Sequence, residues 1–170
     1  MLNNTAMVAA TTVGYPIMTF IHAFGSALGV GASSYLSRQL GAESYDDSKK
    51  TVKTAITVGI LISLILAVSS FFWLMPILRL LTDDPEVLKF SYIYSLITVL
   101  GGVTAILKQV LIGLLRTEGD IVFPMYILLL SVILNILLVP VLMFDWGFNL
   151  QIGGAALATV IVQGVCVIIM

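Results

Sequence analysis

Long apolar runs separated by short polar connections dominate this chain. The hydrocarbon core of a bilayer is about 30 Å thick and takes about 20 apolar residues in an α-helix. Measured against that length, the chain contains five spans, at about 8–36, 55–78, 90–115, 121–144 and 152–170. Backbone in lipid must satisfy its own hydrogen bonds, and a helix does so within each segment. The expected fold is therefore all-α, a polytopic membrane helix bundle with residues 1–170 forming a single transmembrane domain. The first segment follows no basic region and is longer than a signal-peptide core, so it reads as a span.

Within the spans, small and polar residues recur at helical spacing. In the first, His22, Ser26, Gly29 and Ser33 share a face, with Gly25 and Gly29 in GxxxG spacing. In the third, Ser91, Ser95, Thr98, Gly102, Ala105, Gln109, Gly113 and Arg116 form one stripe. The fourth carries Ser131 and Asn135 one turn apart, and the fifth carries Ala156, Thr159 and Gln163. The second span is apolar nearly all round and is expected to face lipid most. Such stripes serve either close helix packing or the lining of a watery cavity. Several of them in one chain predict a bundle around a cavity. Pro16 and Pro140 sit inside apolar runs, where each removes a helix hydrogen bond and introduces a kink or flex point.

Composition sharpens this reading. Apolar residues are 59% of the 170 and charged residues only 10%, against about 25% charged in an average soluble domain. Too little charge remains to cover a water-exposed surface. A net charge of −1 provides no basic field for nucleic acid, and the single Cys166 cannot form an internal disulfide.

The charges that are present orient the bundle. Arg38, Lys49, Lys50, Lys53, Lys108 and Arg116 belong to one side, and only Arg79 and Lys89 to the other, beside Asp83, Asp84, Glu86 and Asp145. Basic residues near span ends mark the cytoplasmic face, so connections 37–53 and 116–120 are expected there. Trp73, Tyr92, Tyr94 and Trp146 then fall at the outer interface, where amphipathic rings prefer to sit.

Candidate chemistry is sparse. Asn135 and Gln163 carry amides that lipid cannot satisfy, so each either lines a cavity or bonds a neighbouring helix. His22 could relay protons or sit neutral in a tight interface. Lys108 lies eight residues before Arg116, roughly 12 Å of helix, and is expected to snorkel towards the cytoplasmic surface. No Asp or Glu falls deep inside any span. Metalloprotease, Cys-x-x-Cys, phosphate-loop and Rossmann patterns are absent, so neither an enzyme nor a metal or cofactor site is expected.

Three runs together resemble the first lobe of MATE (multidrug and toxic compound extrusion) transporters. One is Gly29-Val30-Gly31-Ala32-Ser33-Ser34-Tyr35-Leu36-Ser37-Arg38-Gln39-Leu40-Gly41-Ala42, similar to the family's glycine-rich end of the second helix and the loop after it. Another is Leu115-Arg116-Thr117-Glu118-Gly119-Asp120 with Pro124-Met125, similar to the connection between the fourth and fifth helices. The last is Asn135 with Pro140, followed by Gly153-Gly154-Ala155-Ala156-Leu157-Ala158-Thr159 entering the sixth.

The resemblance implies helices two to six of a twelve-helix, two-lobe transporter in a bacterial or archaeal cytoplasmic membrane. The first helix and the second lobe would be supplied from outside these residues, and the chain would be inactive alone. The implied activity is export of amphipathic organic cations and other xenobiotics against an inward flow of H+ or Na+, with no organic cofactor. Many members carry Asn-x-x-x-Asp-Pro on the fifth helix; here Val139 stands where they have Asp, so Asn135 carries over and the carboxylate does not. Thr159 is the implied neighbouring oxygen ligand, and His22, Gln109 and Gln163 are further candidates for the cavity wall. Two rivals remain: a lipid-linked oligosaccharide flippase of the same superfamily, which would need cationic residues facing the cavity, and a small self-assembling membrane protein.

Overall fold

The computed structural model describes residues 4–143 and 151–170. Asp145 and Trp146, two of the expected outer-face residues, lie outside the described residues. The regular structure among these residues is helical: α1 (Asn4–Gly41), α2 (Tyr45–Leu81), α3 (Pro85–Leu100), α4 (Gly102–Thr117), α5 (Val122–Met143) and α6 (Gln151–Ile169). The all-α expectation is met. α1, α2, α5 and α6 are each long and apolar enough to cross a bilayer, and α3 with α4 makes one further span as a bent pair.

That bend departs from the sequence pattern, which reads as one continuous helix. α3 and α4 meet at 50°. At the junction Gly101 has φ −77° and ψ 0°, between the helical and extended regions. The need for glycine there comes from α6. A β-carbon on Gly101 would overlap Val160 Cγ2 and lie 2.7 Å from Val160 Cγ1, so the valine occupies the space that a side chain would need. Backbone bonding survives the break: Gly101 N–H donates to the Ile97 carbonyl at 2.9 Å, and Thr104 N–H donates to the Gly101 carbonyl at 3.1 Å.

Glycine also sets the main crossing, in which α1 packs along α4. A β-carbon on Gly25 would lie 3.1 Å from both Gln109 Cβ and Ile106 Cα, and one on Gly29 would lie 3.0 Å from the Gln109 carbonyl oxygen. From the other side, one on Gly113 would meet Ser33 Oγ at 2.9 Å and the Gly29 carbonyl oxygen at 3.0 Å. The GxxxG pair therefore serves close backbone approach. Around it Ile21, Leu36, Leu74, Leu78, Ile106 and Val110 form the main apolar cluster, drawn from α1, α2 and α4.

α5 stands apart, leaning on α6 and barely touching α4. Only 11% of its apolar window is covered by protein, against 22% for α2. Among the described residues the least covered helix is thus α5 and not the second span. Uniform apolarity did not measure cover, because Ser63 and Ser70 turn one face of α2 into the core.

The connections at the Arg38–Arg116 end both close as Schellman turns. Ser44 N–H reaches back to the Gln39 carbonyl and Asp120 N–H to the Leu115 carbonyl, at 3.0 and 3.2 Å. The left-handed position is Gly119 in one, with φ +92°, and Glu43 in the other, with φ +55°. At the opposite end Asp84 caps α3, its Oδ1 accepting from Glu86 N–H at 2.8 Å, with Pro85 at the first helical position.

Replacing Gly101 by alanine should lower the thermal midpoint of the purified protein, at a cost of roughly 1–3 kcal/mol for the overpacked contact. Adding Val160→Ala should recover most of that loss. A Gly101→Ala protein as stable as the parent would refute the steric conflict with Val160.

Candidate functional site

Two polar features are built from the stripes, and α4 contributes to both. The first is a groove of about 580 Å³ between α1 and α4. Its walls include Ser26, Ser33, Ser37, Gln109, Arg116 and Thr117. Gln109 Nε2 donates to Ser26 Oγ across it at 3.2 Å. The small residues that bring these helices together also leave the space beside them unfilled. This half of the α4 stripe lines a cleft as the pattern suggested. The α3 half does not, because Ser91 and Ser95 are wholly buried against α1. There Ser91 Oγ donates to the Ala10 carbonyl at 3.3 Å.

The second is a polar cluster where side chains of α4 meet α5 and α6. The α5–α6 pair is antiparallel, and its register is set at two places. Cys166 Sγ lies 3.9 Å from the Ile127 carbonyl oxygen, and Gly154 abuts the Leu142 carbonyl. Between these points Asn135 falls at the depth of Thr159 and Ser131 at that of Gln163. On α4, Thr104 Oγ1 lies 3.5 Å from Gln163 Oε1 while donating to the Gly101 carbonyl at 2.8 Å. One turn further on, Lys108 Nζ donates to Ser131 Oγ at 3.1 Å. The expectation that Lys108 snorkels to the membrane surface is therefore corrected. Ser131 on α5 stands within hydrogen-bond reach of the ammonium.

The candidate residues divide between these places. Gln109, Ser33 and Arg116 belong to the α1–α4 groove. Gln163 is buried on α6, beside Thr104 of α4. Asn135 is half-buried and makes no side-chain hydrogen bond among the described residues. Thr159 donates to the Ala155 carbonyl of its own helix at 3.0 Å, leaving its lone pairs unengaged. His22 is half-buried on α1, within electrostatic reach of Lys108. No group of three or more His, Cys, Asp or Glu that could hold a metal occurs among the described residues.

Several motif positions have structural roles. Gly119 makes the turn after α4, and Asp120 Oδ1 accepts from Phe123 N–H at 2.9 Å to cap α5, with buried Pro124 in its first turn. Pro140 lies within α5, and Arg38 is exposed near the end of α1. Gly41 and Gly31 have open space where a β-carbon would go. Gly31 borders a third groove, between α1 and α2, where Thr51 Oγ1 donates to Gln39 Oε1 at 2.6 Å. Thr104 was not among the candidates, and the pairing of Lys108 with Ser131 was not foreseen. The available signal was a repeated pair: polar residues one turn apart at 104/108, 131/135 and 159/163, on three different helices.

The family model described as MatE matches residues 2–141, and the chain belongs to that family. The multidrug export protein MepA of Staphylococcus haemolyticus is 35% identical over 160 residues, covering 94% of this chain and 35% of that protein. The fold superposes with a TM-score of 0.90 on a multidrug resistance MATE family transporter of the MOP superfamily in an inward-facing conformation. That match has 24% identity and covers 96% of this chain and 37% of the other. An outward-facing transporter of the same description gives 0.87 at 25% identity, over 95% and 35% of the two chains. The chain thus spans about a third of the length of the relatives it matches.

Asp120→Ala should destabilise the protein by about 1 kcal/mol through loss of the α5 cap. Asp120→Asn should retain most of that stability, since its amide oxygen can still accept from Phe123. Thermal unfolding in detergent distinguishes the two, and equal losses would argue against capping.

Proposed function

We propose that this chain is most of the first lobe of a two-lobe efflux transporter that exports amphipathic organic compounds, cations among them. The observation that carries the reading is the match of one lobe fold to both an inward-facing and an outward-facing transporter. A unit whose internal packing suits both conformations moves as a body, and alternating access follows when it rocks against an opposing lobe. The contacts inside the lobe support this stiffness: backbones in direct approach at Gly29 and Gly113 leave little room for shear.

Export against a gradient needs a coupling ion that favours one conformation over the other. H+ or Na+ is the proposed ion. Asn135 and Thr159, at one depth on facing helices, supply neutral oxygens, and a carboxylate from outside these residues completes the site, since Val139 provides none. The end carrying Arg38 and Arg116 faces the cytoplasm, and the missing first helix and second lobe close the clefts.

The protein reconstituted with both lobes should accumulate a cationic dye in inside-out vesicles when an outwardly directed H+ or Na+ gradient is imposed. Asn135→Ala should slow the coupled rate by about tenfold, equivalent to one lost polar contact of about 1.4 kcal/mol. Residues 1–170 alone should give no transport, and pumping by them would overturn the two-lobe mechanism. Orientation has its own test. In a Cys166→Ser background, Glu118→Cys should react with a membrane-impermeant thiol reagent only when the cytoplasmic face is accessible; labelling in intact cells would reverse the assignment.

A further inference from the structure

A pocket at the Arg38–Arg116 end of the lobe lies apart from both polar features. It is a cavity of about 410 Å³ between the end of α1, the start of α2 and the turn after α4. Pockets that hold small molecules run from roughly 300 to 1,000 Å³. Leu36, Leu40 and Val52 form its apolar floor. Lys49 and Lys53 of α2 line one side, and Glu118 lines it from the turn after α4.

Depth places this pocket among lipid headgroups. α2 begins at Tyr45 but its apolar span begins at Ala55, so its first ten residues project beyond the hydrocarbon. At 1.5 Å per residue, Lys53 lies about 3 Å and Lys49 about 9 Å past the start of the span. The headgroup layer adds roughly 5–8 Å to each side of the hydrocarbon core, and the two lysines bracket it. Below the pocket, Ile60, Leu64 and Phe71 continue the face of Lys53 at helical spacing, all three exposed among the described residues. An acyl chain leaving the pocket towards the bilayer centre meets an apolar track on that face.

Charge selects the headgroup. Lys50 belongs elsewhere: it pairs with Asp47 at 2.9 Å and lines the α1–α2 groove. Lys49 is held only loosely by Asp46, at 3.7 Å and with both side chains largely exposed, and exposed pairs of this kind contribute little. The pocket thus offers ammonium groups from one element and a carboxylate from another. A purely anionic headgroup would set Glu118 against like charge. A phosphodiester and a primary ammonium in one headgroup match both: the phosphate oxygens accept from Lys49 and Lys53, and the ammonium donates to Glu118. We infer that this pocket binds an aminophospholipid of the adjoining leaflet, its headgroup held by Lys49, Lys53 and Glu118 and its chains lying along α2.

The test is lipid retention by the full two-lobe protein, read by native mass spectrometry. The probes are phosphatidylethanolamine, phosphatidylglycerol and phosphatidylcholine with identical chains. Phosphatidylethanolamine should be retained at lower concentration than either of the others. Lys53→Ala should weaken its retention about fivefold, the worth of one lysine near a lipid surface, while Lys50→Ala, which removes the same charge from the neighbouring groove, should change it less than about twofold. Glu118→Gln should abolish the preference for phosphatidylethanolamine over phosphatidylglycerol without weakening retention of the latter. Should Lys53→Ala not fold, Lys49→Ala carries the same expectation, and Lys53→Arg should retain the lipid. Equal retention of the three lipids would overturn the site, as would equal losses from Lys50→Ala and Lys53→Ala or a headgroup preference that Glu118→Gln leaves unaltered. Failure of the full protein to retain any of them, as when a segment outside residues 1–170 fills the pocket, would overturn it too.

Discussion

Where α1 crosses α4, Gly25 and Gly29 on one helix face Gln109 and Gly113 on the other, and the backbones come into direct contact. Lipid tails are as apolar as leucine, so burial of apolar surface does little to hold helices together in a bilayer, and close packing has to do it. The rest of the lobe depends on this contact. It places Gln109 against Ser26, opens the groove beside them, and fixes the side of α4 that is left to face α5 and α6. The buried Ser91 and Ser95 extend the same seam along α3, so one face of the broken span is committed to α1 along its length.

The other face of α4 is where packing gives way to polarity. α6 presses Val160 into the break at Gly101 and brings Gln163 towards Thr104. α5 is held mainly through α6, and Lys108 bridges the gap it leaves. A helix with so little protein cover is suited to meet something beyond these residues, whether lipid, another helix or a transported compound. Within α4, residues at 105, 109 and 113 fasten the lobe to α1, and those at 104 and 108 reach α6 and α5.

Much of the site could be read from the residues because polar side chains at helical spacing in lipid need a reason to be there. Ser26, Ser33, Gln109 and Arg116 were grouped by face alone and do share a groove. The same reasoning could not separate the two uses of a stripe. Ser95 and Gln109 lie on one line, yet the first is sealed against Gly14 and the second borders a cleft, because the helices diverge beyond their closest approach. Lys108 was misjudged for a related reason. Its distance along the helix to the membrane surface was legible, whereas the nearer Ser131 lies 23 residues away in the chain.

The sequence by itself determined what depends on composition and period: that the chain is a membrane helix bundle, how many spans it has, which faces are small or polar, and the family it resembles. These follow from the bilayer, which sets the length of every span and forces each backbone to satisfy itself. Tertiary structure alone decided the partners. It broke the third span at Gly101, where Val160 occupies the side-chain space, left α5 less covered than α2, and turned Lys108 towards Ser131. Each of those outcomes depends on contact between residues far apart in the chain, and a side chain's own helix carries no information about what will stand opposite it.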